Sequence, residues 1–171
     1  MMLFEEIILN RIECESILKL AKDYYKSSII DNIGNVETNN GIRNSVESTI
    51  ENNVDIELLL LSKLKKYNIK SLPNTSKIIK YDVGCFFKPH NDKIIGLKNE
   101  RILTLIIQLS DETNYDGGNL IVDKLVCSKK IGNMIIFDSS IQHEVTEIIR
   151  GSRIAMVMWM ERDNIVKEYI I

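Results

Sequence analysis

"FDSSIQHEVTEIIRGSRIAMVMWM", residues 137–160, is the stretch on which the fold turns. Two apolar, strand-length runs, "QHEVTEII" (142–149) and "SRIAMVMWM" (152–160), flank the turn signal Arg150-Gly151. Side chains alternate along a strand, so Arg153 shares a face with Ala155, Val157 and Trp159. If that face is the inner one, a permanently charged guanidinium enters apolar surroundings, which is costly unless an anion meets it. No acidic residue is an obvious partner from sequence. A dicarboxylate ligand would serve, because arginine matches a carboxylate with two parallel hydrogen bonds. A surface arginine on the outward face is the alternative.

The same character extends upstream to Pro73. "SKIIKYDV", "ERILTLIIQLS", "GNLIVDKLV" and "NMIIFD" read as further strands, with turn signals at 114–118 and 131–133. Asp116-Gly117 is expected to form a tight hairpin turn. Before Pro73 the chain is mixed. "LFEEIIL" (3–9) reads as a strand, and 11–26 and 54–69 as amphipathic helices. The polar, Gly/Asn-rich 30–42 reads as a loop, a candidate flap. Helices followed by at least six strands predict an α+β, mainly β protein, with N-terminal helices packed outside a sandwich or barrel.

The 171 residues suit one domain, 1–171, divided into a helical support region (1–72) and a β core (73–162). A net charge of −2 argues against nucleic acid as a partner. Three scattered cysteines without a CxxC pair argue for a reducing compartment, and Cys85 reads as a small buried hydrophobe. "MMLFEEIILN" lacks the basic start of a signal peptide, and "ELLLLSKL" is too short to span a bilayer. The expectation is a cytoplasmic protein that does not enter membranes.

Only two histidines are present, and both fall in the strand-rich part. In "FFKPHND" (86–92), His90 and Asp92 stand two apart and, on a strand, would present an imidazole and a carboxylate to one metal ion. His143 lies in another strand. Two histidines and one carboxylate are the parts of the facial triad that holds non-haem Fe(II) with open positions. The residues alone leave catalytic zinc open, as well as a cupin-like binding module without chemistry. The module would not need Arg153 in an apolar strand, and zinc hydrolysis would need a general-base motif such as HExxH, which is missing.

With these residues in place, the chain resembles the Fe(II)- and 2-oxoglutarate-dependent dioxygenases, in particular the prolyl 4-hydroxylase-like branch. The segments that carry the resemblance are "YDVGCFFKPHND", "RILTLIIQLSD", "YDGGNLIV" and "IGNMIIFDSSIQHEVTEIIRGSRIAMVMW", spread over 81–159. It implies a double-stranded β-helix (jelly-roll) core, His90, Asp92 and His143 as iron ligands, and Arg153 as partner of the far carboxylate of 2-oxoglutarate. It further implies Tyr81, Thr104 and Gln108 against the cosubstrate, with Gln108 standing where one branch has a tyrosine. Trp159 and Arg43 fall to the substrate. The implied reaction uses O2 and 2-oxoglutarate, gives succinate and CO2, and hydroxylates an unactivated C–H, with ascorbate a candidate reductant. Asp92 argues against the halogenase variant, which lacks the carboxylate. The first expectation for substrate is a prolyl residue of a protein or peptide. A free amino acid, a small metabolite or a nucleobase is the alternative. Loops 30–42 and 93–100 are where substrate choice is expected to reside.

Overall fold

The computed structural model describes residues 3–30, 36–51, 53–94 and 100–166. All strand pairs among the described residues are antiparallel. The larger sheet has seven strands in the order Leu3–Ile7, Asn133–Asp138, Arg101–Gln108, Arg153–Glu161, Thr75–Tyr81, Val46–Glu51, Tyr25–Lys26. The smaller has five, in the order Leu125–Val126, Leu120–Val122, His143–Val145, Phe86–His90, Arg43–Asn44. Tyr115–Gly117 pairs separately with Ile148–Gly151.

The near-continuous apolar runs of the central strands have a physical cause: both faces of the larger sheet are covered. Leu105, Ile107, Met156 and Met158 point one way and join Cys14 and Ile17 of the helix Arg11–Leu18 and Leu60 and Leu64 of the helix Val54–Leu64. Ile79, Ile106, Phe137 and Val157 point the other way and join Leu120, Val122 and Val145 of the smaller sheet. Each fully buried side chain of this size contributes roughly 1.5–3 kcal/mol. A one-residue slip in Arg153–Glu161 would move its methionines from the helix side to the cavity side, so the register is strongly specified.

The N-terminal part departs from the expected helical support region, because it also supplies strands to the larger sheet. The helix expected over 11–26 begins at an Asn10–Glu13 capping box but ends at Leu18. Its second half becomes the strand Tyr25–Lys26, where the aromatic ring suits a sheet better than a helix. The second helix stops at Leu64, and the short turn after it closes on Asn68 in the left-handed conformation. Val46–Glu51, read from sequence as neither helix nor strand, pairs along its whole length with Thr75–Tyr81. Of the loop expected over 30–42, residues 31–35 lie outside the described residues, and Ile29–Ile30 pairs with Val36–Glu37 beside them. Residues 95–99 of the second expected loop also lie outside them.

Asp116-Gly117 is not a hairpin turn. Both residues sit in a strand, with a bulge between them that Gly117 accommodates at φ 72°. The tight turn is at Asp123-Lys124, where φ values of 46° and 70° join Leu120–Val122 to Leu125–Val126. The single run read over 118–126 is therefore two strands.

Candidate metal and cosubstrate site

The smaller sheet sets the two histidines face to face. His143 is the direct cross-strand partner of His90, and a register shift follows between His143 and Val145. Opposed residues of an antiparallel pair lie on the same face, which leaves the ring centroids 4.2 Å apart. Asp92 lies beyond the end of the strand Phe86–His90, so strand alternation is not what brings it in. Its backbone N–H donates to the Ser139 carbonyl at 2.9 Å, and its Oδ2 accepts from Thr104 Oγ1 at 2.8 Å. The carboxylate then stands 3.8 Å from His90 Nε2 and 3.4 Å from His143 Nε2.

The three side chains offer ligand atoms within 4.8 Å of one another. Each histidine places Nδ1 against a backbone carbonyl, Lys88 at 2.8 Å and Ile141 at 3.0 Å. With Nδ1–H donating there, Nε2 keeps its lone pair for a metal. Phe87 stacks on the His90 ring at 3.4 Å between centroids, and Phe137 meets the His143 ring edge-on at 4.7 Å. Two imidazoles and a carboxylate, oriented this way, fit Fe(II).

The charges suit that use. Burial alone would raise the Asp92 carboxyl, but the neighbouring histidines and the Trp159 indole outweigh it and keep the group ionised well below the usual carboxylate range. His90 is pushed down to about 4 by burial and by the charge of His143. Burial also opposes the charged form of His143, yet the charge and hydrogen bond of Asp92 raise it above its ordinary value.

A cavity of about 260 Å³ opens from this cluster and extends to Arg153 and Tyr81. Arg153 is 2 % exposed and pairs in register with Tyr81, whose ring lies 5.4 Å from the guanidinium carbon. Among the described residues no carboxylate forms an ion pair with it, and its buried Nε and Nη2 have no hydrogen-bond partner. The strand face read from sequence is thus the inner one, and a buried guanidinium without an anion lines the same cavity as the triad.

The other residues singled out from sequence divide. Trp159 lines the cavity. Thr104 is buried and does not line it; its hydroxyl is spent on Asp92 and Ser139. Gln108 is fully buried outside the lining, with both amide atoms unpartnered. Arg43 reaches the cavity, but its guanidinium is held by Glu47 (3.1 Å), the Ser28 carbonyl (2.7 Å) and Ser45 Oγ (3.1 Å), and it lies over the Phe87 ring. It braces the ring that stacks on His90.

Arg101 was missed. It lines the cavity and stacks on Trp159 at 4.0 Å. Burial lowers its pKa, while Asp92 and Glu161 pull the other way. The available signal was a cation heading the apolar run "RILTLIIQ".

Known proteins share this architecture. The chain superposes on a prolyl-4-hydroxylase of Pseudomonas putida with a TM-score of 0.68 at 15% identity, covering 94% of this chain and 92% of that one. A Trichoplax adhaerens prolyl hydroxylase, solved in complex with a hypoxia inducible factor peptide fragment, gives 0.72 at 14% identity, with 94% and 84% covered. At these identities the likeness is one of fold. In sequence, a PKHD-type hydroxylase of Gluconacetobacter diazotrophicus is 29% identical over 122 residues, 63% of this chain and 53% of the relative. The chain spans about half the length, or less, of the curated relatives it matches. Residues 76–161 match the 2OG-Fe(II) oxygenase superfamily. That span runs from the strand ending at Tyr81 to the strand carrying Arg153 and Trp159, half of the chain, and by it the chain belongs to this superfamily.

Proposed function

We propose that this protein is an Fe(II)- and 2-oxoglutarate-dependent hydroxylase whose two antiparallel sheets form a double-stranded β-helix with the N-terminal helices packed outside. The observation that carries the reading is the buried guanidinium of Arg153, without an anion, in the lining of the same cavity as His90, Asp92 and His143. Fe(II) held there, with 2-oxoglutarate and O2, supplies oxidative decarboxylation to succinate and CO2 coupled to hydroxylation of an unactivated C–H. His90 Nε2, His143 Nε2 and one Asp92 oxygen would hold the metal. Thr104 and the two backbone carbonyls fix those ligands in orientation. Arg153 would pair with the far carboxylate of the cosubstrate and so orient the molecule in the cavity. Tyr81, Ile106 and Val157 keep water from the space between.

Trp159 and Arg101, stacked on one another in the cavity lining, are the residues assigned to the substrate in this reading. A prolyl residue of a protein or peptide is the first candidate, supported by the prolyl hydroxylases that share the fold. A reducing, cytoplasmic setting belongs to the same proposal and is supported by three free thiols.

The test needs no substrate. Fe(II) and then 2-oxoglutarate are added to the apoprotein without oxygen, and the visible metal-to-ligand charge-transfer band is followed. A band in the parent and none in His90→Ala is expected. A folded, metal-bound parent without the band would favour a binding module or a zinc site. Succinate release with proline-containing peptides against free amino acids then sorts the substrate classes.

A further inference from the structure

Apart from Arg43, which is ion-paired, and Trp159 beside the metal ligands, every buried polar side-chain atom without a hydrogen bond among the described residues belongs to one of three residues. They are Arg153 (Nε and Nη2), Tyr115 (Oη) and Gln108 (Nε2 and Oε1). All three are at most 2 % exposed. They converge through the sheet pairing. Tyr115 pairs with Gly151, two residues before Arg153, and Gln108 pairs with Ala155, two residues after it. Gly118 sits between two of them: a Cβ there would stand 3.3 Å from Arg153 Cδ and 3.3 Å from Tyr115 Cε2.

Among the described residues no carboxylate forms an ion pair with Arg153; Glu112 acts on Tyr115, Glu5 on Cys127 and Asp116 on Lys129 through their charge alone, without a hydrogen bond. Burial pushes the Tyr115 hydroxyl up, against the smaller opposing pull of Arg153, so it stays protonated. Cys127 is pushed up to about 12 and stays a thiol. Lys129 adds a second cation, 4.4 Å over the Tyr115 ring and donating to the Gly117 carbonyl at 2.7 Å. A carboxylate in place of Tyr115 or Gln108 would form an internal ion pair and cancel the charge that a ligand needs. A neutral hydroxyl can accept from one edge of the guanidinium and leave its charge intact.

Resting on the hydroxylase reading above, we propose that Tyr115 is a positioning residue of the anion pocket: its hydroxyl engages the buried edge of Arg153 and aims the open edge at the far carboxylate of 2-oxoglutarate. Gln108 lines the same polar bed. The strand residue expected to touch the cosubstrate and Tyr115, seven positions later, thus act together behind the arginine.

The experiment compares parent and Tyr115→Phe by anaerobic titration of the Fe(II)-loaded protein with 2-oxoglutarate and with 2-oxobutyrate, which has the same chelating end but no far carboxylate. Tyr115→Phe keeps the ring under Lys129 and removes one oxygen. Affinity for 2-oxoglutarate is expected to fall roughly tenfold, as for a lost hydrogen bond to a charged group. Affinity for 2-oxobutyrate and for Fe(II) is expected to stay at the parent level. Equal losses for both oxo acids, or no loss for either, would overturn the proposal, since a role in the fold alone does not discriminate the far carboxylate. Tyr115→Leu is the second variant; if neither variant folds, the residue serves the fold and the proposal falls. A parent that gives no band with either oxo acid refutes the hydroxylase reading itself, an outcome separate from any behaviour of the variants.

Discussion

His90 and His143 are the same residue type on facing strands, yet their surroundings drive them in opposite directions. His90, pushed down to about 4, offers a free Nε2 at any pH at which the protein would be used. His143, raised by Asp92 against burial, keeps a proton on Nε2 to higher pH than a free imidazole does, and below that range a metal must displace it. A proton bound to the free site opposes metal, so Fe(II) affinity is expected to fall as pH drops below the His143 pKa, about tenfold per pH unit for one displaced proton. Calorimetry at pH 6 in buffers of different ionisation enthalpy should register about one proton released per Fe(II). Zero protons released there would remove His143 from the ligand set.

Short approaches between elements depend on glycine at one junction in particular. Gly132 precedes the strand Asn133–Asp138 at φ 77°, and its carbonyl accepts from the backbone N–H groups of Ile8 and Leu9. A Cβ at this position would stand 1.8 Å from the Leu9 carbonyl oxygen. That contact docks the end of the first strand and the start of the first helix onto the larger sheet. Gly132→Ala combines left-handed strain with a clash against backbone, and is expected to destabilise by more than about 1 kcal/mol. Urea unfolding measures it. An unchanged midpoint would mean that the N-terminal segment is not anchored there.

On the scale of the whole molecule, the chain crosses from the smaller sheet to the larger at Ser45, between Arg43–Asn44 and Val46–Glu51. Glu47, 4 % exposed, holds both Arg43 and Lys77 (2.9 Å) at this crossing, and Arg43 in turn braces the Phe87 ring against His90. Removing one partner of a buried ion pair leaves an uncompensated charge. Glu47→Gln is expected to cost about 3–5 kcal/mol, read by denaturant unfolding, and to weaken Fe(II) binding as well. A loss of stability with unchanged metal affinity would separate the crossing from the site.

The strand pattern after Pro73, the pairing of His90 with His143 as candidate ligands and the inward face of Arg153 were legible in the sequence, because a period of two and the scarcity of histidine need no tertiary information. "SRIAMVMWM" already contained an inner face with a guanidinium in it. The tertiary structure alone decided the rest. Val46–Glu51 and Tyr25–Lys26 are strands because a neighbour's open edge pairs with them, and local propensity does not report a distant edge. Asp116-Gly117 carries a turn signal, but pairing with Ile148–Gly151 overrode it. Asp92 reaches the histidines through Ser139 and Thr104, not through its spacing from His90. The resemblance assigned Arg43 to the substrate, and only the fold shows its guanidinium held by Ser28 and Glu47. Tyr115 gave no signal at all, since a buried hydroxyl without a partner exists only once the side chains around it are packed.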